Sequence, residues 1–354
     1  RPTETGEPME PSALSLSPSL YHRRLAEGIV PELHYRGGDA RRWQETLRRR
    51  LAELLGPLPE VAAPLNPRTL WVREHPLGTI EKVIFTSEPG VDVPAYVCLP
   101  HDARPPYTYF ICLQGHSTGM HLSIGMDFET NSLPIEVPGD RDFALGCLRR
   151  GIAALCIEQR AFGERREQAM PHVQFGKCHD AMVQALLLGR TLMGERVYDV
   201  MRGLDYLALR GDADMARVGL MGNSNGGMVT LYAAALLPER VRYAMPSSCF
   251  CTFEGSLLRT HHCGCVYIPG LFAVADLPDI TGLIAPRPLV LVVGLGDPLK
   301  SEEGIREGVE QVQRIYDALG AGERFHVVWG REGHRFYADQ AWPVMCEEIG
   351  APHA

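Results

Sequence analysis

Residues 217–238, with the sequence RVGLMGNSNGGMVTLYAAALLP, constrain the fold more than any other stretch of the chain. The apolar run Val218 to Met221 is typical of a short buried strand, and the apolar segment 224–236 is typical of a buried helix. Between them lies the turn GNSNG, a G-x-S-x-G pattern centred on Ser224. Such a corner holds its serine in a strained conformation with the hydroxyl exposed above a sheet. The sequence therefore predicts a strand, a tight turn and a helix, with Ser224 as a candidate nucleophile.

The G-x-S-x-G pattern is weak evidence when it stands alone, because the chain has 36 glycines among 354 residues. A second match, Gly115 to Gly119, also follows an apolar strand, Tyr109 to Leu113. No small-residue helix follows that match, so the context favours Ser224. We interpret Ser117, the serine of the second match, as a wall residue of a loop.

The composition is that of an ordinary soluble globular protein, with 45% apolar and 22% charged residues. A net charge of −8 argues against nucleic acid or an anionic membrane as a partner. No apolar run reaches the roughly 18 residues that a bilayer span requires. Many of the ten cysteines lie in apolar segments, which favours buried free thiols in a reducing compartment. We therefore expect a cytoplasmic protein, and leave open whether it is a homo-oligomer.

Apolar strands alternate with helical patterns along most of the chain. Strands are predicted at 78–88, 91–99, 109–113, 152–157, 218–221, 243–246, 289–293 and 325–329. Helices are predicted at 39–55, 142–150, 179–210, 224–236, 301–319 and 336–348. The first two strands form an antiparallel hairpin, and the later alternation predicts an α/β fold with a mostly parallel central sheet and helices on both faces.

The N-terminal part of the chain differs from this pattern. Residues 1–20 contain four prolines and little periodicity, which indicates an extended or mobile arm. We divide the chain into an N-terminal arm and helical extension, 1–70, and a catalytic domain, 71–354. Within the latter, 158–178 and 249–285 are predicted insertions above the carboxyl ends of strands, where ligands bind in such sheets.

An acid and a histidine past two later strands complete a candidate triad with Ser224. A serine hydroxyl becomes an effective nucleophile when a histidine takes its proton and a carboxylate orients that histidine. Asp297 follows one late strand and His334 follows the last, in the chain order Ser, acid, His expected for this sheet type. Glu302 and Glu303 are alternative acids, but they fall in the next predicted helix, so we favour Asp297.

Two backbone N–H groups are needed to hold the oxygen of a tetrahedral intermediate. One donor is expected to be Asn225, the residue after the nucleophile, and the other His116, in the loop after an earlier strand. Gly115 lets that loop approach the site, which explains the second G-x-S-x-G match.

The segment 249–265 contains soft metal donors in close pairs, CFC at 249–251 and HHCGC at 261–265. Structural zinc sites usually separate paired cysteines by two to four residues rather than one. We therefore predict a packed cap loop with no metal, and expect no metal or organic cofactor for the chain. His261 and His262 remain candidate substrate contacts.

The segment IEQRAFGER supplies two further candidates for binding a polar substrate, Arg160 and Glu164. The alternative, a loop held by salt bridges, is favoured for both. Arg190 and Asp199, in the long helical region, are interpreted as structural.

Six motifs together resemble the α/β-hydrolase superfamily, in its dienelactone-hydrolase and acetylxylan-esterase-like branch. They are LQGHSTG, IEQRAFGER, GRTLMGERVYDVMRGLDYL, GNSNGG, GLGDPL and GREGHRFY, and the resemblance covers about residues 75–350. It implies Ser224, Asp297 and His334 as the triad, with His116 and Asn225 as oxyanion donors. Gln114 departs from the pattern, because many relatives carry histidine before the glycine, and this puts a contact to substrate or loop in doubt.

The function expected from the residues and the resemblance is serine-dependent hydrolysis of a carboxylic ester. By resemblance, the small-molecule substrate is a short acyl ester of a carbohydrate or polyol. The same triad also serves cleavage of amides, thioesters or carbon–carbon bonds, as in peptidases, thioesterases and dienelactone-type hydrolases. Two further functions stay open, a non-catalytic binding protein with this fold and a metallo-hydrolase that uses the Cys/His segment.

Overall fold

The computed structural model describes residues 16–167 and 178–351. The helices are α1 (Pro18–Glu27), α2 (Ala40–Leu55), α3 (Phe143–Leu148), α4 (His179–Leu187), α5 (Leu192–Arg210), α6 (Asn225–Leu236), α7 (Leu271–Val274), α8 (Leu277–Gly282), α9 (Glu302–Ala318) and α10 (Ala338–Ile349). The strands are β1 (Arg68–His75), β2 (Gly78–Glu88), β3 (Val91–Pro100), β4 (Tyr107–Leu113), β5 (Ala153–Ile157), β6 (Ala213–Asn223), β7 (Tyr243–Ser247), β8 (Leu289–Gly294) and β9 (Phe325–Gly330).

The nine strands form one sheet in the order β1-β2-β3-β5-β4-β6-β7-β8-β9. Strands β1 to β3 run antiparallel to their neighbours, and the six strands from β5 to β9 in this order are parallel. The predicted hairpin and mostly parallel sheet are therefore confirmed. β1 was not predicted. Its residues are exposed or half-buried, so they lack the alternation of buried apolar and exposed polar side chains by which a strand is recognised in a sequence.

Helices cover both faces of the sheet, as predicted. Along β4, Ile111 and Leu113 point to the larger hydrophobic core, whereas Phe110 and Cys112 point to a second core. Buried residues of α2, α5, α6 and α8 belong to the larger core, and those of α3 and α10 belong to the second. The carboxyl ends of β4, β6, β8 and β9 consequently meet at one edge, between these layers.

Most of the predicted helix α2 packs on the body of the molecule. Leu47, Leu51 and Leu55 lie in the larger core, and the side chain of Asp39 accepts a hydrogen bond from the Arg42 N–H, as a helix cap does. Helix α1 was not predicted. Its only buried residue is Ala26, so its sequence carries no apolar stripe. Of the predicted arm, residues 1–20, residues 1–15 lie outside the described residues. Residues 18–20 form the first turn of α1, so the arm prediction is wrong there.

The predicted helical region 179–210 is divided into α4 and α5. Gly189 has a φ of 73° between them, and the hydroxyl of Thr191 accepts a hydrogen bond from the Gly194 N–H to begin α5. Part of the predicted insertion 158–178, residues 168–177, also lies outside the described residues. The insertion 249–285 contains the short helices α7 and α8.

The ten cysteines are free thiols, nine of them buried and Cys263 partly exposed. In the described parts of the chain, none of the helices combines the length and apolar character needed to cross a bilayer.

Candidate active site

Ser224 occupies the corner between β6 and α6 that the sequence predicts. Its backbone is strained, with φ of 58° and ψ of −119°, and its N–H donates to the Ser247 carbonyl oxygen at 2.8 Å. A Cβ on Gly222 or Gly226 would overlap backbone atoms of this corner or of β4. The small residues therefore allow a geometry that holds the Ser224 side chain at the edge of the sheet.

The predicted acid and histidine are paired. His334 Nδ1 lies 2.7 Å from Asp297 Oδ2, and Asp297 Oδ1 accepts a hydrogen bond from the Leu299 N–H at 3.0 Å. Burial by itself would raise the pKa of Asp297, but the hydrogen bond from His334 and the charge of Lys300 hold it below its usual range. Asp297 therefore stays ionised, and because it contacts Nδ1, the other ring nitrogen of His334, Nε2, is the one predicted to act on Ser224.

Lys300 is a charged neighbour that the sequence analysis did not identify. Its Nζ lies 2.7 Å from the same Asp297 Oδ2 atom, and its side chain is only 6% exposed. The two residues are three apart in GLGDPLK, and this short spacing was the available signal. Lys300 keeps the carboxylate ionised and places a positive charge in the wall of the site.

A cavity of about 250 Å³ brings Ser224 and His334 together with His116 and Asn225. Its other lining residues are Met228, Ser248, Cys249, Phe253, Ser256, Leu257, His261, His262, Cys263, Val266, Leu277, Leu299 and Lys300. Among the described residues, Ser224 Oγ has no hydrogen-bond partner, so its hydroxyl is available to a ligand. Ser224 and His334 thus face a largely apolar pocket with polar groups at its wall.

The two predicted oxyanion donors lie on the elements that the sequence indicates. Asn225 is the first residue of α6, where the helix supplies no acceptor for its N–H. His116 follows β4, and a side chain on Gly115 before it would come within 3.4 Å of Ser224 Cβ. In the described part of the chain neither of the two N–H groups donates to a backbone oxygen. Both remain predicted donors.

The predicted substrate contacts divide into two groups. His261 and His262 line the cavity. Arg160, Glu164 and Gln114 are not among its lining residues, and each has partners elsewhere. Gln114 Nε2 donates to Ser123 Oγ at 2.7 Å and to the Arg141 carbonyl oxygen at 2.8 Å, and Glu164 accepts from Lys82 at 2.7 Å.

Arg160 lies in a network of buried ion pairs. Its guanidinium contacts Glu88 at 2.6 Å, Asp199 at 2.9 Å and Glu195 at 3.3 Å, and Arg190 pairs with Glu88 at 2.9 Å. Arg190 and Asp199 thus take the structural role expected of them. We propose no substrate contact for Arg160, Glu164 or Gln114.

The Cys/His segment, residues 249–265, contributes two cysteines to a cluster of metal-binding side chains. Cys251 Sγ lies 3.7 Å from the Ser301 carbonyl oxygen. Cys263 and Cys265 instead converge with His116 and Cys178, and the four ligand atoms lie within 4.8 Å of one another. Spacing within the segment could not reveal this group, because half of its members come from other parts of the chain.

The comparisons with known proteins agree with this architecture. A family model described as the prolyl oligopeptidase family matches residues 188–267, which include Ser224. A protein of Bacillus subtilis (strain 168), named "Putative hydrolase YtaP", is 26% identical over 291 residues, or 81% of this chain and 92% of that protein.

Solved structures of esterases have the same fold. A "putative acetyl xylan esterase" from Bacteroides fragilis NCTC 9343 matches with a TM-score of 0.73 and 17% identity, over 95% of this chain and 86% of that one. A glucuronoyl esterase from Solibacter usitatus matches with a TM-score of 0.63 and 16% identity, over 88% of this chain and 94% of that one. At these identities the likeness shows the fold.

Proposed function

We propose that this chain, which has the fold of the α/β-hydrolases, cleaves carboxylic esters with Ser224 as nucleophile, His334 as base and Asp297 as the acid that orients the base. The observation that carries the proposal is the pairing of His334 with Asp297 beside a cavity lined by Ser224 and His334. The three residues follow three different strands. Ser224 and His334 line one cavity, and Asp297 contacts His334. This arrangement supports a nucleophile, a base and an acid that orients the base.

In the proposed mechanism, His334 Nε2 takes the proton of Ser224 Oγ as that oxygen attacks the ester carbonyl carbon. The Asp297 carboxylate holds the Nδ1 proton and stabilises the imidazolium. The N–H groups of Asn225 and His116 hold the oxyanion. The imidazolium then protonates the departing alkoxide, and a water molecule, deprotonated by the same histidine, releases the acid from the acyl-enzyme.

A short acyl group on a carbohydrate or polyol is the proposed substrate. A cavity of about 250 Å³ lies below the roughly 300–1,000 Å³ typical of sites for drug-sized ligands, so it favours a small acyl group. His261, His262 and Lys300 give its wall hydrogen-bonding groups that suit a polyhydroxylated alcohol. The names of the similar solved structures, acetyl xylan and glucuronoyl esterases, support the same substrate class.

Cleavage of a peptide amide by the same triad is the second candidate, since the matching family model is that of the prolyl oligopeptidases. The mechanism is shared, and only the leaving group differs. Substrate profiling separates the two candidates.

A fluorophosphonate probe tests the nucleophile directly, because it phosphonylates an activated serine. We expect the label on the tryptic peptide that carries Ser224, no label on the peptide that carries Ser117, and none on a folded Ser224→Ala variant. Ser224→Ala is also expected to lower kcat by about 10⁶-fold, as loss of a triad serine does. An unlabelled wild-type protein would identify a non-catalytic binding protein instead.

A substrate series tests the bond and the acyl group. We expect kcat/KM to be highest for p-nitrophenyl acetate, to fall for longer p-nitrophenyl esters, and to be measurable for acetylated xylo-oligosaccharides. Prolyl p-nitroanilides serve as the amide comparison. Faster turnover of the anilides than of any acetyl ester would favour the peptidase.

A further inference from the structure

Four metal-binding side chains from three distant segments meet beside the active-site cavity. His116 follows β4, Cys178 precedes α4, and Cys263 and Cys265 belong to the segment between β7 and β8. His116 Nε2 lies 3.3 Å from Cys178 Sγ, and Cys178 Sγ lies 3.2 Å from Cys263 Sγ. Cys178 and Cys265 are each 1% exposed. No other group of three or more such ligands was found in the described residues.

We propose that His116, Cys178, Cys263 and Cys265 bind one Zn²⁺ ion in a closed structural site. Three cysteines and one histidine are a common ligand set of structural zinc. Tetrahedral ligands at Zn–S distances of about 2.3 Å lie roughly 3.8 Å apart, and the ligand atoms here need only small shifts to reach that spacing. The segment spacing that argued against zinc does not apply, since His116 and Cys178 supply half of the ligands.

The surroundings of the ligands fit the same site. Ser117 Oγ lies 2.9 Å from His116 Nδ1, so that nitrogen can donate its proton to the hydroxyl while Nε2 faces the cysteines. A histidine that binds metal usually donates its other N–H in this way. Asn225 Nδ2 donates to Cys265 Sγ at 3.5 Å, a contact typical of ligating thiolates. In this arrangement Ser117, which has no part in the triad, orients the His116 ring.

The buried positive charge of Arg196, next to the cluster, suits an anionic group there. Arg196 is 1% exposed and, within the described residues, has no carboxylate partner. Its guanidinium donates to the Arg160 carbonyl oxygen at 2.9 and 3.2 Å and to Asn225 Oδ1 at 3.0 Å, and Asn225 in turn contacts Cys265. Three thiolates and one Zn²⁺ carry a net charge of −1, which the guanidinium balances. A buried cation without a counter-charge would be costly.

A disulfide between Cys178 and Cys263 is the competing arrangement. Their sulfur atoms lie 3.2 Å apart, well beyond a bond of about 2.05 Å. A disulfide would also leave Cys265 and its contact with Asn225 without a role. The zinc site accounts for both.

The ion would also position the oxyanion donors, and this consequence rests on the proposed function. His116 would be a ligand, and the Asn225 side chain would contact a ligand, while the backbone N–H groups of the same two residues are the proposed donors. With four protein ligands the ion has no open position, so it orders the loops and does not activate water. Metal binding itself does not depend on the catalytic proposal.

Metal analysis of the full-length protein, purified without metal-affinity resin, tests the site. We expect about one equivalent of zinc per chain, the stoichiometry of a four-ligand site, and loss of most of it in Cys263→Ser and Cys265→Ser. Cys251→Ser is the matched control, because Cys251 lies in the same segment and contacts Ser301 instead. A wild type without metal after incubation with ZnCl₂, or a Cys178–Cys263 disulfide found by peptide mapping, would overturn the proposal.

Cobalt substitution tests the ligands even where a cysteine variant fails to fold. Wild-type protein reconstituted with Co²⁺ is expected to show the strong visible and near-ultraviolet absorption of tetrahedral thiolate coordination. Absorption typical of six-coordinate oxygen ligation would contradict the site. Stripping the metal is expected to lower kcat more than it raises KM, and the spectrum stays informative if no ester is cleaved.

Discussion

Asp297 holds two positively polarised groups at one oxygen atom, the imidazole of His334 and the ammonium of Lys300. This buried carboxylate is therefore kept ionised by its neighbours against the cost of burial. Its remaining oxygen is held by the Leu299 N–H, so the carboxylate cannot rotate away from the histidine. These contacts distinguish Asp297 from the other acids near the site.

Asp297→Asn is expected to lower kcat by about 10⁴-fold, because an amide presents its N–H to His334 Nδ1 and favours the wrong tautomer. Glu302→Gln and Glu303→Gln are the matched controls. Glu302 pairs with Arg306 at 2.7 Å on the exposed side of α9, so both controls are expected to retain activity. Steady-state kinetics with p-nitrophenyl acetate measure the difference, and a comparable loss in either control would contradict the assignment.

Glu158 is a buried acid of the loop after β5. Its carboxylate accepts the N–H groups of Met120 and Glu164, both at 3.1 Å, and thereby joins two loops at the sheet edge. Burial outweighs these hydrogen bonds and raises its pKa to about 7. Because the folded-state pKa lies above the unfolded value near 4.5, the folded protein binds the proton more tightly.

The contribution of Glu158 to the free energy of unfolding is consequently expected to decrease by about 3 kcal/mol as pH rises from about 4.5 to about 7. Glu158→Gln removes this titration, so its urea midpoint should change less with pH than that of the wild type. The exposed Glu323→Gln is the control and should follow the wild type. Equal pH dependence in Glu158→Gln and wild type would refute the assignment.

At the scale of elements, the close packing at the junction of β6 and α6 leaves no room for a side chain on Gly226, because the neighbouring atoms belong to the backbone. Gly226 packs against the carbonyl oxygens of Leu113 and Gln114, at the end of β4. These atoms lie directly before the loop that carries His116, the second proposed oxyanion donor. The same contact thus positions both the proposed nucleophile and the proposed donor.

Gly226→Ala is expected to destabilise the protein by about 3 kcal/mol, since its Cβ would overlap backbone rather than a rotatable side chain. Any folded variant should also lose kcat, because β4 and α6 must separate. Gly28→Ala is the matched control, as its nearest atom, the Leu25 carbonyl oxygen, lies 3.6 Å from the new Cβ. Urea unfolding compares the two, and equal midpoints would show that the junction tolerates a methyl group.

At the scale of the whole molecule, the N-terminal extension and the sheet share one hydrophobic core. Leu47 and Leu51 of α2 are fully buried with residues of α6 and α8. Arg48 and Gln44 add hydrogen bonds from α2 to the carbonyl oxygens of Ala235 and Gly282. We therefore expect the proposed units 1–70 and 71–354 to unfold together.

Leu51→Ala is expected to lower the free energy of unfolding of the whole protein by about 2–5 kcal/mol, the cost of a cavity in a packed core. Leu20→Ala, at a position 47% exposed on α1, should change it by less than about 0.5 kcal/mol. Circular dichroism and tryptophan fluorescence should report one common transition. Two separate transitions, with Leu51→Ala affecting only one, would show that the extension is an independent unit.

The sequence by itself determined the class of the fold and the candidate triad. Buried strands alternating with helices imply a parallel sheet, and the carboxyl ends of such strands meet at one edge. Ser224, Asp297 and His334 each follow a recognisable strand, so their convergence could be predicted from local patterns. The pairing of His334 with Asp297 agrees with that prediction.

Only the tertiary structure decided which side chains from unrelated loops meet. Cys178 and Cys263 are 85 residues apart, and nothing in the pattern around either indicates the other. The exposed edge strand β1 escaped prediction for a similar reason, because its place in the sheet comes from pairing with β2 rather than from an apolar period. Local periodicity reports burial along one element, whereas a cluster such as His116 with its three cysteines depends on how separate loops fold over the sheet edge.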